Sequence, residues 1–177
     1  MASKVAALNR AEAWVAREKP HFDVVHIHPS MVFGWDHLTT SEEDIQGGTN
    51  RFIINHARGI SDSQMPAFPN AYCSLDQVAY VHVKSLDVEH VPGNQSFIVS
   101  SNVDDGMEYN QIDEIVKRRF PREVEEGVFK SGAEAKTTKV RVDNESTERV
   151  FGFVHTGWEE VVVETLEGFL AWKKGRG

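Results

Sequence analysis

Three stretches carry side chains whose types and spacing could do chemistry. They are the helix start at Lys4, the run Pro29-Ser30-Met31-Val32-Phe33-Gly34, and the run Tyr72-Cys73-Ser74-Leu75-Asp76-Gln77. Lys4 falls on one helical stripe with Leu8, Ala11 and Val15, with Val5 and Trp14 beside them, so the spacing predicts an ammonium on the inward face. A cation in the first turn also opposes the helix macrodipole, at a cost of roughly a few tenths of a kcal/mol. Spacing alone is met equally by a lysine snorkelling from a helix start. Pro29 ends a strand because it cannot donate to the ladder, and Gly34 lets the chain turn sharply. Taken alone, that run is also an ordinary strand-to-loop turn with apolar packing. Ser74 suits an N-cap, and Asp76 suits the positive end of the following helix. His26 and His28 project to one face of their strand, a spacing two metal ligands could use. A tight site needs a third or fourth ligand, and the sequence identifies none, so no metal is assigned. No motif supports a serine, cysteine or glutamate nucleophile.

The 177 residues, 40% hydrophobic and 26% charged, predict one globular domain able to bury most of its apolar surface. A formal charge of −8 argues against nucleic acid and anionic membrane surfaces as partners. The single Cys73 precludes an internal disulfide and fits a reducing compartment. Lys4, Arg10 and Glu12 interrupt any leader-like apolar run, and no stretch approaches the roughly 20 apolar residues of a membrane span. Cytosol is the expected location.

The elements that must position these residues follow from periodicity. A helix over 3–19 stops at Pro20, and a short β-branched strand over 23–28 is expected to be buried on both faces apart from its histidines. Thr40-Ser41-Glu42-Glu43 offers a capping box, and a helix from Thr49 to Arg58 closes at Gly59. Residues 60–70, with Pro66 and Pro69, are expected as an irregular loop. Tyr72-Cys73 is extended, and Ser74 opens a helix with Leu75, Val78, Ala79, His82 and Leu86 on one face. Then come a strand from Gln95 to Ser100, a helix from Tyr109 to Arg119 stopped by Pro121, and a strand over Val140-Arg141-Val142. A short helix from Ser146 to Gly152 precedes a last helix with Trp158, Val162, Leu166, Phe169 and Leu170 on one stripe and a basic tail. Alternating helix and strand means α/β. No Gly-x-Gly-x-x-Gly follows a strand, so the sequence offers no pyrophosphate-binding turn.

The order of these pieces carries a resemblance. The helix lysine, Glu18-Lys19-Pro20-His21-Phe22-Asp23, the apolar strand and the Pro-x-x-Val-x-Gly turn resemble the centre of an extended short-chain dehydrogenase/reductase of the NAD-dependent epimerase/dehydratase family. Within it the nearest likeness is to reductases related to dihydroflavonol and cinnamoyl-CoA reductases. Residues Tyr72 to His82 resemble the family's Phe-Val-(Asp or His)-Val-x-Asp-Val-Ala-x-Ala-His, with Ser74 and Gln77 departing from it. Val142-Asp143-Asn144, Glu148 to Phe153 and Trp158 to Val162 resemble its closing Asp-Asn, Leu-Gly-Phe and Leu-Glu-Glu-x-Val.

The resemblance implies the C-terminal portion of an NAD(P)-binding Rossmann-type fold. Residues 1–34 would be a remnant of the Rossmann domain. Residues 35–177 would be mainly a substrate-binding region, with Tyr72–Ser100 returning to the Rossmann sheet. The family signature is Tyr-x-x-x-Lys, with Lys4 as its lysine and the tyrosine falling one residue before Met1. In the family this lysine binds the nicotinamide ribose and lowers the tyrosine pKa. A charge about 4 Å away at an effective dielectric near 20 is worth roughly 4 kcal/mol, a shift of a few pKa units. Pro29 and Val32 become cofactor contacts, and Phe33, Gly34, Trp35 and Tyr72 become substrate contacts. His28 departs from the more usual asparagine or arginine, which leaves NADP and NAD both open.

The implied activity is reduction of a ketone or aldehyde. This chain is expected to be an inactive, truncated form with weak or absent NADP binding and possible homodimerisation through the Lys4 helix. The alternatives are a non-catalytic binding or subunit-pairing relative, and a sugar-nucleotide epimerase or dehydratase. The second is disfavoured by a phenylalanine-rich, arginine-poor pocket side.

Overall fold

The computed structural model describes residues 2–61, 67–101 and 106–175. Pro66 of the expected loop and the end of the basic tail lie outside them. The elements are α1 (Ala2–Glu18), β1 (Val25–Pro29), β2 (Met31–Phe33), α2 (Glu42–Gly47), α3 (Arg51–Ala57), β3 (Phe68–Pro69) and β4 (Tyr72–Ser74). They continue with α4 (Leu75–Lys84), β5 (Gln95–Val99), α5 (Gln111–Arg119), α6 (Pro121–Glu125), β6 (Thr137–Thr138), α7 (Glu145–Phe151) and α8 (Trp158–Lys174). The fold is α/β, and the described strands pair in parallel: β1 with β5, β2 with β4, and β3 with β6. Parallel partners need long crossovers, and helices supply much of them. No helix among the described residues is long and apolar enough to cross a membrane.

Two apolar clusters hold the chain together. The larger joins Phe33, Tyr72 and Tyr109 to Ile53 and Ile54 of α3, Ile112 and Val116 of α5, and Trp158, Val162, Leu166 and Phe169 of α8. The smaller joins Cys73, Val81, Val91, Phe97, Val99 and Phe151 under β1 and β5. Each fully buried side chain of this size contributes roughly 1.5–3 kcal/mol. The expected α8 stripe is the one that packs, because its 3.6-residue period fits one helix face.

Several expectations are corrected. β1 is only half-buried. It pairs along one edge, and α1 lies over its histidine face without burying any residue of its own. Leu8, Ala11 and Val15 are half-buried, but Lys4 is exposed and does not share the stripe's burial. On α4 the buried residues are Gln77 and Val81, while Leu75, Ala79, His82 and Leu86 are exposed. The amide of Gln77 explains the rotation: its Nε2 donates to the Val154 carbonyl at 3.1 Å and its Oε1 accepts from the Ser74 N–H at 3.3 Å, so it can be buried at little cost. The α2 capping box is one residue later than expected, Ser41 with Asp44. Pro121 does not only stop α5; it opens α6 from the first position. Residues 140–142 form no strand. The Val140 N–H goes to Asn70 Oδ1 at 2.7 Å, and pairing falls upstream at Thr137–Thr138.

Ser74 caps α4 as expected, its Oγ accepting from the Gln77 N–H at 3.2 Å. Ser74→Ala should therefore cost about 1 kcal/mol and lower the thermal midpoint by roughly 2–4 °C, with Ser74→Thr retaining most of it. Equal midpoints for wild type and alanine variant in a calorimetric scan would show that the hydroxyl does not stabilise the helix.

Candidate functional site at the strand ends

In open α/β sheets ligands bind beyond the carboxyl ends of the parallel strands. Here that edge is organised at Ser30, where the chain leaves one partner strand for another. The Ser30 N–H donates to the Val99 carbonyl at 3.0 Å, and from Met31 onward the pairing is to β4. A cleft lies on each side of this switch.

The first cleft, about 280 Å3, is lined by Leu8 of α1, His28, Pro29, Ser30, Ile98 and Ser100. Leu8 is one helical turn beyond Lys4, so α1 and Pro29 meet here. His26 and His28 stack on each other with ring centroids 6.2 Å apart.

The second cleft, about 290 Å3, is lined by Val32, Gly34, Trp35, Asp36, Asp44, Thr49, Asn50 and Leu75, among others. Three of the sequence candidates thus share one wall. Gly34 has φ 138°, and a Cβ there would lie 2.8 Å from the Leu75 Cβ, so only glycine fits. Asn50 holds Gly34 from both sides: Oδ1 accepts the Gly34 N–H at 3.2 Å, and Nδ2 donates to the Gly34 carbonyl. The Thr49 hydroxyl donates to the Val32 carbonyl. The Trp35 indole lies against Gly168 of α8 and beside Trp172.

Phe33 and Tyr72 do not line either cleft. Each is 1% exposed, and both pack on Trp158, with centroids at 5.6 and 5.1 Å. The Tyr72 hydroxyl donates to the Thr156 carbonyl at 2.8 Å. Alternation along β2 accounts for this: Val32, at the edge of the cleft, packs against the smaller cluster, so Phe33 faces the larger one.

Sequence reasoning missed Thr49, Asn50, Leu75 and Glu164. Asn50 stands at the N-cap position of α3 but makes no capping bond with its side chain. A capping residue type released from its own helix was the available signal, and only the fold shows where it goes. Glu164 reaches Gly34, where an added Cβ would lie 3.4 Å from its Oε1.

The electrostatics are acidic. Asp44 is lowered to about 2, first by the Thr40 N–H and then by the Ser41 and Thr40 hydroxyls and the Ser41 N–H. Burial raises Glu164, and Asp76 adds to that, against the Trp35 N–H and His37. Burial pushes the Cys73 thiol up to about 11, which makes it an inert core group.

A pH dependence follows from Asp44. Its folded pKa lies below the ordinary 3.8, so the stability it contributes is present above about pH 4 and lost as pH falls through about 2. The thermal midpoint of wild type should exceed that of Asp44→Asn at about pH 6, and the two should converge near pH 2. A gap independent of pH would sink the assignment.

No family model matches the chain. The chain is similar to the ketoreductase CTB6 of Cercospora nicotianae, 38% identical over 176 residues, covering 96% of this chain and 47% of the relative. It is similar to the NAD-dependent epimerase/dehydratase FUM13 of Gibberella moniliformis, 35% identical over 136 residues, covering 69% of this chain and 35% of the relative. Among solved structures, Gre2 of Candida albicans in complex with NADPH matches with a TM-score of 0.68 at 18% identity, over 92% of this chain and 49% of that one. The chain spans about half the length of the curated ketoreductase it matches, 47%. Sequence likeness and shared fold agree, and the chain belongs to the NAD-dependent epimerase/dehydratase family of extended short-chain dehydrogenases/reductases.

Proposed function

We propose that this chain carries the nicotinamide-facing and substrate-facing half of an NAD(P)H-dependent carbonyl reductase. The observation that carries the reading is the pair of clefts flanking the Pro29–Gly34 run at the carboxyl ends of parallel strands. Residues 1–34 together with 72–100 form the nucleotide-side layer, supported by the β1–β5 and β2–β4 pairing. The remainder of 35–177 is the substrate side.

The donor set fits the ribose-nicotinamide end of a cofactor: an exposed ammonium at Lys4, a hydroxyl at Ser30 and an apolar wall of Leu8 and Pro29. Bound NADP in its reduced form would supply a hydride; NAD fits the same residues. With the cofactor bound and the signature phenol supplied by the matching N-terminal half, Lys4 would bind a ribose hydroxyl and hold down the phenol's pKa, so that the phenol could give its proton to a carbonyl near neutral pH. Pro29 would support the ring from the first cleft and Val32 from the second, where Gly34 and Trp35 would bound the substrate. Phe33 and Tyr72 act from behind, by fixing β2 and β4.

The substrate is a neutral ketone or aldehyde. Asp36 and Asp44 line the second cleft, and among the described residues no lysine or arginine does. Diphosphate recognition wants arginines, so the cleft favours a carbonyl substrate over a sugar nucleotide. Reduced cofactor is at hand in the cytosol, the compartment that goes with this reading.

The test joins this chain to the matching N-terminal half of the Cercospora nicotianae ketoreductase. The chain alone should show no micromolar NADPH binding by calorimetry, because it offers no Gly-rich turn. The chimera should bind NADPH and oxidise it with a neutral ketone, and Lys4→Met should cut turnover about 100-fold or more. Unchanged turnover in Lys4→Met would reduce Lys4 to a helix-start lysine. Turnover of sugar nucleotides instead of ketones would move the chain to the epimerase branch.

Self-association through α1 belongs to the same reading. Val5 and Trp14 are 58% and 41% exposed, and no residue of α1 is buried, which leaves a helix face free for a second copy. Light-scattering chromatography should show a dimer that Trp14→Glu returns to monomer. A sharp monomer peak for wild type, with one cooperative thermal transition, would instead favour a self-sufficient, non-catalytic relative.

A further inference from the structure

Trp35 reaches the second cleft from an exposed loop, yet its position is set by the last helix. A Cβ added at Gly168 would lie 2.3 Å from the Trp35 Cγ, 2.5 Å from its Cβ and 2.6 Å from its Cδ2. No atom pair rests that close, so the indole sits directly on helix backbone. One turn earlier, the Glu164 carboxylate lies beside the Gly34–Trp35 backbone, its Oε1 3.4 Å from where a Cβ at Gly34 would stand. One turn later, the Trp172 ring lies 6.5 Å from the Trp35 ring. Residues four apart share a helix face. Glu164, Gly168 and Trp172 therefore form one stripe along the Gly34–Trp35 segment, with a carboxylate beside its backbone, a gap for the indole and a second ring next to it.

Resting on the reading of this cleft as the carbonyl-substrate site, we propose that α8 positions Trp35 through Gly168 and Glu164, and thereby sets the cleft's width. Neither residue lines the cleft: Gly168 acts through the indole, and Glu164 through the Gly34–Trp35 backbone. Gly168 lies mid-helix, where glycine weakens a helix and alanine strengthens it wherever there is room. Its presence there is explained by the indole that occupies the space. Asp76 opposes the charge of Glu164, while the Trp35 N–H and His37 favour it.

The sign of one substitution tests this in the full chain. Gly168→Ala should lower the thermal midpoint by roughly 4–8 °C, since it forces the indole off its seat. In a Trp35→Gly background, which removes all three crowded atoms, the same change should raise the midpoint. A loss of equal size in both backgrounds, or a gain in wild type, would overturn the proposal.

A second measurement stands if Trp35→Gly fails to fold. The Trp35 indole resonance, identified by its disappearance in Trp35→Phe, should move in Gly168→Ala and in Glu164→Val, and stay in place in Glu164→Gln, which keeps an acceptor. An unmoved resonance in the first two variants would also overturn it. The cleft itself is read with acetophenone as the probe, by saturation transfer, and Gly168→Ala should weaken its binding about fivefold or more. Absence of binding to wild type counts against the carbonyl-site reading, while the indole and thermal results decide the positioning role independently.

Discussion

The structure depends on a change of hydrogen-bonding partner at one residue. Up to Pro29 the chain pairs with β5; from Met31 it pairs with β4; Ser30 donates to the end of β5 between the two. The end of β5 is tied in turn to the start of β4, where Ser101 N–H donates to the Tyr72 carbonyl at 2.6 Å and Ser101 Oγ accepts from the Tyr72 N–H at 3.2 Å. Three segments remote in sequence are thereby fixed in one register. A slip of one residue would exchange Val32 and Phe33 between the two apolar clusters. Phe33 would lose Trp158, and the larger cluster would lose one of its central rings.

That constraint also explains how the two apolar clusters divide the work. The smaller lies beneath β1 and β5, on the face opposite the one that α1 covers. The larger lies between β2, β4 and α8 and holds the side on which Gly34 and Trp35 sit. The Pro29–Gly34 run is the seam between them. A residue at the seam answers to both cores, which accounts for the fixed conformations found along it: proline at the end of one strand, and a glycine at φ 138° clasped by Asn50.

Much of the fold was legible from local signals. The α8 stripe, the Ser74 cap, the stop of α1 before Pro20 and the glycine after α7 are each written in a few consecutive residues. What was not legible depends on partners far away. Leu75, Ala79, His82 and Leu86 make a plausible inward stripe for α4, but the burial of Val81 in the smaller cluster and the bond from the Gln77 amide to the Val154 carbonyl turn the helix the other way. Val140-Arg141-Val142 has the composition of a strand, but Asn70 takes the N–H such a strand would need. At the site, Val32, Gly34 and Trp35 came from the run itself, whereas Asn50 and Glu164 are named only by what they reach. Aromatic residues were the hardest to read, because Phe33 and Tyr72 have the same chemistry whether they face a ligand or Trp158.

The seating of Trp35 on α8 has a consequence for how the chain acquires its shape during synthesis. Strands β1, β2, β4 and β5, the first three helices and α4 can all emerge before Gly168 is made. The wall that Trp35 forms cannot. Until the final helix arrives, the indole has no seat and Phe33 and Tyr72 have no Trp158 to pack on. The cleft is therefore among the last parts of the molecule to close, through contacts of long sequence separation, which are the slow ones to form. A nascent chain that has finished its sheet register still exposes those three rings, and that interval is when it most needs protection from self-association.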